Sequence, residues 1–421
     1  MTSQQRRGPL DGVRIVDFTH VWAGPLASRI LADLGADVIK IEAPRGRGPR
    51  VPPPGHQWIF PNGEPGQAHW NRQGTANKLN RNKRSLCVDL KTPEGRDHVL
   101  ELIGVSDVVM ENFSARAMRS LGLGWDTLRS VNERLVYVTM PGFGVDGPYS
   151  GFVAYGPSVE PMTGLTSFMG YQEGEPRMTS MALLDAIGGV SAAAAVVSAL
   201  WRRETGGRGV LVEAGMYEAA LAMLGERFIE FQVTGHPPVP LGNAHLDFSP
   251  HGIYPCTGED EWVAIAARGE EEWHALSTIA GHEWHLDERF ASIEQRRRHR
   301  EALDTAIGTW TRGFDKHELT ATLQAAGVPA GPVSTASEFL SDPHLEMRRF
   351  FVDLGHDDIE EKPYPGLPVT IDGRASRDLS WRGAPGLGEH NREILRELLG
   401  LDAEAVSRLE TAGVLLSRPP E

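Results

Sequence analysis

Up to Met140 the chain alternates between two hydrophobic rhythms. Short blocks rich in valine, isoleucine and leucine, Val13 to Phe18, Asp37 to Glu42, Ser85 to Leu90, Val108 to Glu111 and Leu135 to Met140, read as strands buried on both faces. Between them Pro25 to Leu34, Pro93 to Ile103 and Trp125 to Val131 space their apolar residues at helical intervals, and the first carries proline in its opening turn. Strands that alternate with helices predict an α/β fold on a parallel sheet, with ligands at the carboxyl ends of the strands. The segment from Ala43 to about Asn80 is rich in proline, glycine and asparagine. It is too long for an idle connection and reads as a functional loop.

From Met181 an alanine-rich helix runs to about Arg203, where Gly206, Gly207 and Gly209 stop it, and a second helix is expected from about Glu213. Helical periodicity ends where Pro237, Pro238 and Pro240 crowd together, which marks a domain boundary. The resulting division is a large domain over 1–236, a small domain over 237–340 containing a strand from Trp262 to Ala267, and a segment over 341–421 that returns to the large domain. Within that last segment, Ser341 to Pro385 reads as irregular and His390 to Leu399 as a helix.

Composition narrows the function. A chain of 421 residues with 40% hydrophobic and 23% charged positions is globular and larger than one ordinary domain. A net charge of −14 argues against a general nucleic-acid binder, which needs a broad basic face. The longest apolar run, Met181 to Trp201, is broken by Asp185, Gly188 and Gly189, so no membrane span is expected. Only Cys87 and Cys256 are present, with no CxxC pair. That excludes a disulfide framework, makes a metal site improbable and fits a cytoplasmic protein. Arginines 45, 47 and 50 form one basic cluster and Arg81, Lys83 and Arg84 another; each reads either as solvated loop or as a seat for an anion. Arg296 to Arg300 reads as solvated helix surface.

The first βαβ unit ends its second strand on Glu42, where dinucleotide-binding folds often hold a ribose. Its turn, Thr19-His20-Val21-Trp22-Ala23-Gly24-Pro25, lacks the G-x-G-x-x-G cradle for a pyrophosphate, which argues against NAD or FAD. Asp185, standing before Gly188, Gly189 and a helix, has two readings. It is a helix N-cap, or a carboxylate that the helix start keeps ionised as a nucleophile, with the glycines opening backbone N–H donors to a ligand carbonyl. Residue chemistry leaves both open.

A series of fragments then adds to this reading. Val16-Asp17-Phe18-Thr19-His20, Ala23-Gly24-Pro25, Leu34 to Glu42, Asn82-Lys83-Arg84-Ser85, Asp89 to Gly95, Glu111-Asn112-Phe113, Gly142-Phe143-Gly144, Met162-Thr163-Gly164-Leu165 and Ala199-Leu200-Trp201 follow one another in an order and spacing that resemble the class III CoA-transferases, a family that includes formyl-CoA transferase, carnitine CoA-transferase and α-methylacyl-CoA racemase. The resemblance covers almost the whole chain. It implies a Rossmann-like large domain, a smaller α+β domain and an interlocked homodimer, or a hetero-oligomer with a related chain. It implies coenzyme A and acyl-CoA as substrate, a carboxylic acid as acceptor, and no tightly bound cofactor. It places the family's nucleophilic aspartate at Asp185, which would form an anhydride with the acyl group and then an aspartyl-CoA thioester. His20, Val21, Lys83, Arg84, Asn112 and Phe113 match positions that bind CoA. Ala43 stands where formyl-CoA transferase has an arginine, so Arg45, Arg47 or Arg50 would take over its role. Ser120 likewise stands in an arginine's place, with Arg116 or Arg119 as substitute.

Racemases of the family use a histidine near the Met-Thr-Gly-Leu segment; here Tyr155 aligns, and a phenol is a poorer base than an imidazole at neutral pH. CoA transfer is therefore favoured over racemisation, with a non-catalytic CoA-binding subunit as a third reading. Trp22 replaces a substrate-side glutamine, which suggests an apolar or differently shaped acyl group rather than formate or oxalate. His245 and His251 could line the acyl pocket or satisfy a turn.

Overall fold

A computed structural model describes residues 8–43, 55–171, 173–179 and 181–419. The chain divides into two compact units, one made of 1–166, 178–235 and 343–421 and the other of 167–177 and 236–342.

The first unit is built on six parallel strands: β1 (Arg14–Asp17), β2 (Asp37–Glu42), β3 (Arg84–Cys87), β4 (Val108–Glu111), β5 (Val136–Thr139) and β6 (Val210–Glu213), in the order β3-β2-β1-β4-β5-β6. Side chains alternate between two cores, because successive strand residues point to opposite faces. Val16, Ile39, Val109 and Tyr137 join Leu102, Ile103, Ile394 and Leu409 on one side. Ile15, Val38, Val108 and Val136 join Ala27, Leu31, Ala192 and Val196 on the other. Helix α1 (Ala23–Asp33) follows β1, and the long helix Leu183–Gly206 lies against it. By length and composition the long helix could cross a membrane, yet half of its most apolar window is buried in the fold. Gly207 ends it at φ +74°, a left-handed conformation that glycine adopts without penalty.

Three sequence expectations change here. The segment from Glu213 does not open as helix; Val210–Glu213 completes the sheet on β5, and the helix begins at Met216. The stretch expected to be irregular holds an antiparallel hairpin, β10 (Phe351–His356) with β11 (Ile359–Pro365). Its prolines are tolerated because a two-stranded sheet consists of edges. The loop after Ala43 closes with α2 (Gly74–Asn80), which packs on α1.

The second unit is α+β. Strands β7 (His251–Pro255), β8 (Trp262–Ala266) and β9 (Ala330–Pro332) form an antiparallel sheet. Trp273, Leu276, Leu303, Ile307, Leu319 and Leu323 from its helices fill the core. Arg296, expected to be solvated, is fully buried: Nη2 meets Glu270 at 2.7 Å, Nε donates to Ser249 O at 2.8 Å, and the guanidinium lies 5.0 Å from the Trp273 ring. A buried arginine persists only when its donors are met in this way.

Candidate active site

The strand order reverses between β1 and β4, and in open α/β sheets the crevice beyond such a reversal takes the ligand. The residues that follow these strands are locked together there. Asn112 Oδ1 accepts from the His20 backbone N–H at 2.8 Å, and Asn112 Nδ2 donates to the His20 carbonyl at 2.8 Å. The His20 and Phe113 rings stack at 4.8 Å. Glu111 anchors this corner by accepting from the Phe113 N–H at 2.7 Å and the Tyr137 hydroxyl at 3.0 Å.

Val21 follows His20 at φ +68°, a strained conformation for a β-branched residue that costs about 1–2 kcal/mol. The strain is held between two fixed points. On one side is the clamped His20; on the other, Ala23 opens α1 with its N–H favouring the charged form of the Asp185 carboxylate. Trp22, the residue preceding the helix, is half-buried beneath the Lys78 ammonium, 5.9 Å from its ring centre.

Asp185 is the third residue of the long helix, not its cap, which is Ala182. Only 7% of it is exposed. Burial raises its carboxyl above the usual aspartate range, opposed by the Ala23 N–H and its own N–H. The carboxylate thus faces the starts of two helices, whose dipoles favour its charged form by ~0.3–1 kcal/mol each. Gly156, which opens a short helix after Tyr155, lies against it: a Cβ at Gly156 would stand 2.1 Å from Asp185 Oδ2. Sequence reasoning missed this residue, since a glycine before a proline reads as a turn. Tyr155 itself is exposed.

Several expected roles do not follow from this geometry. Gly188 and Gly189 lie inside the long helix, where backbone N–H groups bond to the preceding turn, so they form no open oxyanion hole. Gly189 instead permits close helix packing, its Cβ position lying 2.7 Å from the Ala23 carbonyl oxygen. Lys83 was expected to meet CoA phosphates. Its side chain is fully buried, with Nζ 2.9 Å from Asp17 and hydrogen-bonded to Ser28 and Asn80. Arg84 is bound to Asp37 at 2.6 Å and to Glu393 at 3.0 Å, and Arg81 to Asp33 at 2.7 Å. These three cations neutralise internal carboxylates. Arg45, Arg47 and Arg50 lie outside the described residues. Arg116 and Arg119 are exposed, the first preceding and the second within the short helix Ala117–Ser120 that follows Phe113. His245 belongs to the second unit, where its ring stacks on Phe248 at 4.1 Å and its Nδ1 accepts from the Asp247 N–H at 3.0 Å. His251 donates through Nδ1–H to the Asn243 carbonyl, 2.7 Å away.

A strained turn, a sheet crevice and a buried carboxylate at two helix starts form the candidate site on this α/β frame. The family model for CoA-transferase family III matches residues 10–391. The chain is 34% identical to the succinyl-CoA–D-citramalate CoA-transferase of Chloroflexus aurantiacus, over 99% of this chain and 100% of that one. It is 32% identical to the succinate–glutarate CoA-transferase of Agrobacterium fabrum, over 95% and 98%. A CaiB/BaiF family protein from Brucella suis shares its fold with a TM-score of 0.82 at 31% identity, covering 93% of this chain and 99% of that one. The chain belongs to CoA-transferase family III and is a CoA-transferase.

Proposed function

We propose that this enzyme moves coenzyme A from an acyl-CoA donor to a carboxylic acid acceptor through covalent intermediates on Asp185. The observation that carries the reading is the Asp185 carboxylate, buried, met by the Ala23 N–H and cleared of side-chain bulk by Gly156.

A carboxylate oxygen of Asp185 attacks the thioester carbonyl carbon. The C–S bond breaks, CoA leaves as thiolate and a mixed anhydride forms. The thiolate then attacks the aspartyl carbonyl, releasing the donor acid as carboxylate and leaving an aspartyl-CoA thioester. The acceptor carboxylate attacks that thioester, expelling the thiolate again and forming a second anhydride. Thiolate attack on the acceptor's acyl carbon gives the new acyl-CoA and restores Asp185. Each step exchanges one acyl bond for another, so no net proton moves. A carboxylate suits the work because it serves as both nucleophile and leaving group.

His20, Val21, Asn112 and Phe113 border the path of the CoA chain, and exposed Arg116 and Arg119 supply charge for its phosphates in place of Lys83 and Arg84. Exposed Trp201, Met223, Ile229 and Val233 offer apolar surface for a second copy, in keeping with an interlocked homodimer. The named relatives act on succinate or succinyl-CoA, which makes succinyl-CoA the first donor to test. A panel of CoA thioesters and carboxylates, read by mass spectrometry of the thioesters formed, is expected to show transfer that requires both partners. Deuterium exchange at the donor α-carbon without any acceptor acid, and no transfer, would instead make the protein a racemase.

A further inference from the structure

Beside Trp22 the first unit holds a cation that the transfer chemistry leaves unused. Lys78, in α2, is half-buried, and among the described residues its ammonium meets the Trp22 ring but no carboxylate or other hydrogen-bond acceptor. Its charged surroundings are positive. Arg29 and Arg81 stand behind it and share one carboxylate, Asp33, at 3.6 and 2.7 Å. Each nitrogen of Arg81 has a partner, Nη1 donating to the Pro365 carbonyl at 2.6 Å, whereas Arg29 keeps a buried Nε without one. Two arginines on one carboxylate, with Lys78 beside them, leave this side of α1 with an excess of positive charge. Burial first, and then Arg29 and Arg81, pull the Lys78 ammonium below the ordinary lysine range. A partly desolvated cation in such company is stabilised by an anion that comes to it.

Trp22 fixes where that anion would lie. It directly precedes Ala23, the start of α1 whose N–H offsets the burial of Asp185, so Lys78 stands beside the helix start that serves the reacting carboxylate. An indole face bordered by an ammonium suits a short hydrocarbon chain that ends in a carboxylate.

We propose that Lys78 determines donor specificity, its ammonium receiving a second carboxylate on the acyl group while the Trp22 ring carries the methylenes between the two ends. The inference rests on the transfer reading above and adds to it the group that tells a dicarboxylic acyl-CoA from a monocarboxylic one. It also alters the expectation attached to Trp22, since the ring now forms one wall of a site with a charged end.

The test compares succinyl-CoA with butyryl-CoA, of equal chain length but without the second carboxylate, as donors to one acceptor acid for wild type, Lys78→Met and Lys78→Arg. Wild type should prefer succinyl-CoA. Lys78→Met should lower kcat/KM for succinyl-CoA by about ten- to a hundredfold, the scale of a charge-assisted hydrogen bond, with butyryl-CoA changed by less than about twofold. Lys78→Arg should recover much of the preference. Equal losses on both donors would overturn the proposal, because they would place the anion on CoA or make the lysine structural. So would an unchanged preference in Lys78→Met, or a wild-type preference for butyryl-CoA. Wild-type transfer from neither donor, nor from any other thioester, would count against the transfer reading itself. Asp185 labelling by hydroxylamine after butyryl-CoA, retained in Lys78→Met, separates lost recognition from a lost site.

Discussion

At the residue scale, burying Asp185 carries a cost that the proposed chemistry explains. Its carboxyl is raised by burial, so between about pH 4, where an unfolded aspartate titrates, and its own higher value the folded chain holds more protons than the unfolded one. Stability from this group is therefore full below about pH 4 and falls as the pH rises through the folded value. Asp185→Asn removes the charge but keeps an acceptor for Ala23. It is expected to lower transfer by about 10³-fold or more while unfolding at a higher temperature than wild type at pH 7, a margin that closes towards pH 4. Calorimetry at the two pH values checks this. Gly156→Ala separates geometry from folding. Its new methyl would collide with a carboxylate oxygen, a group that can turn away, so melting should change little while kcat/KM falls by about a hundredfold. Asp185 was legible in the sequence through its neighbours and the family's order of motifs. Gly156 was not, because its role comes from a contact across 29 positions of chain that no local pattern encodes.

At the scale of elements, the two glycines after Asp185 do different work despite being adjacent. Alanine is favoured over glycine by about 1 kcal/mol inside a helix. At Gly188 an added Cβ meets Met216 no closer than 3.7 Å, so Gly188→Ala should be neutral or stabilising. At Gly189 it would press within 2.7 Å of the Ala23 carbonyl and 3.0 Å of Leu26. The helices would have to part, and overpacking of about 1–3 kcal/mol exceeds the helix gain. Gly189→Ala should therefore lower the denaturation midpoint where Gly188→Ala does not, and disturb Asp185 through Ala23 as well. Strands β1, β2, β4 and β5 were readable because valine and isoleucine dominate them and helices intervene. Strand β6 and the hairpin β10–β11 were not. Val210–Glu213 runs straight into a helix, and the hairpin's prolines and acidic residues mimic a loop until two edge strands pair.

For the molecule as a whole, the basic cluster before β3 was read in the right place with the wrong partner, because a sequence does not say which way a lysine faces. Lys83 faces Asp17. Burial would raise Asp17, but Lys83 and then Lys40 outweigh it and hold the carboxyl down to about 2. That depressed value contributes stability above about pH 4 that is lost as the pH falls towards 2. Asp17→Asn, which leaves the Lys83 charge buried without its counter-ion, should destabilise the fold by about 3–5 kcal/mol at pH 7 by urea titration. It should also show a flatter loss of stability between pH 5 and 3 than wild type. The central claim concerns the bond that Asp185 makes. Wild-type enzyme incubated with succinyl-CoA, quenched in hydroxylamine and digested should yield the peptide containing Asp185 as its hydroxamate. Asp185→Asn should give no such product and no transfer. An unmodified Asp185 peptide during active turnover, or full transfer by Asp185→Asn, would contradict the account.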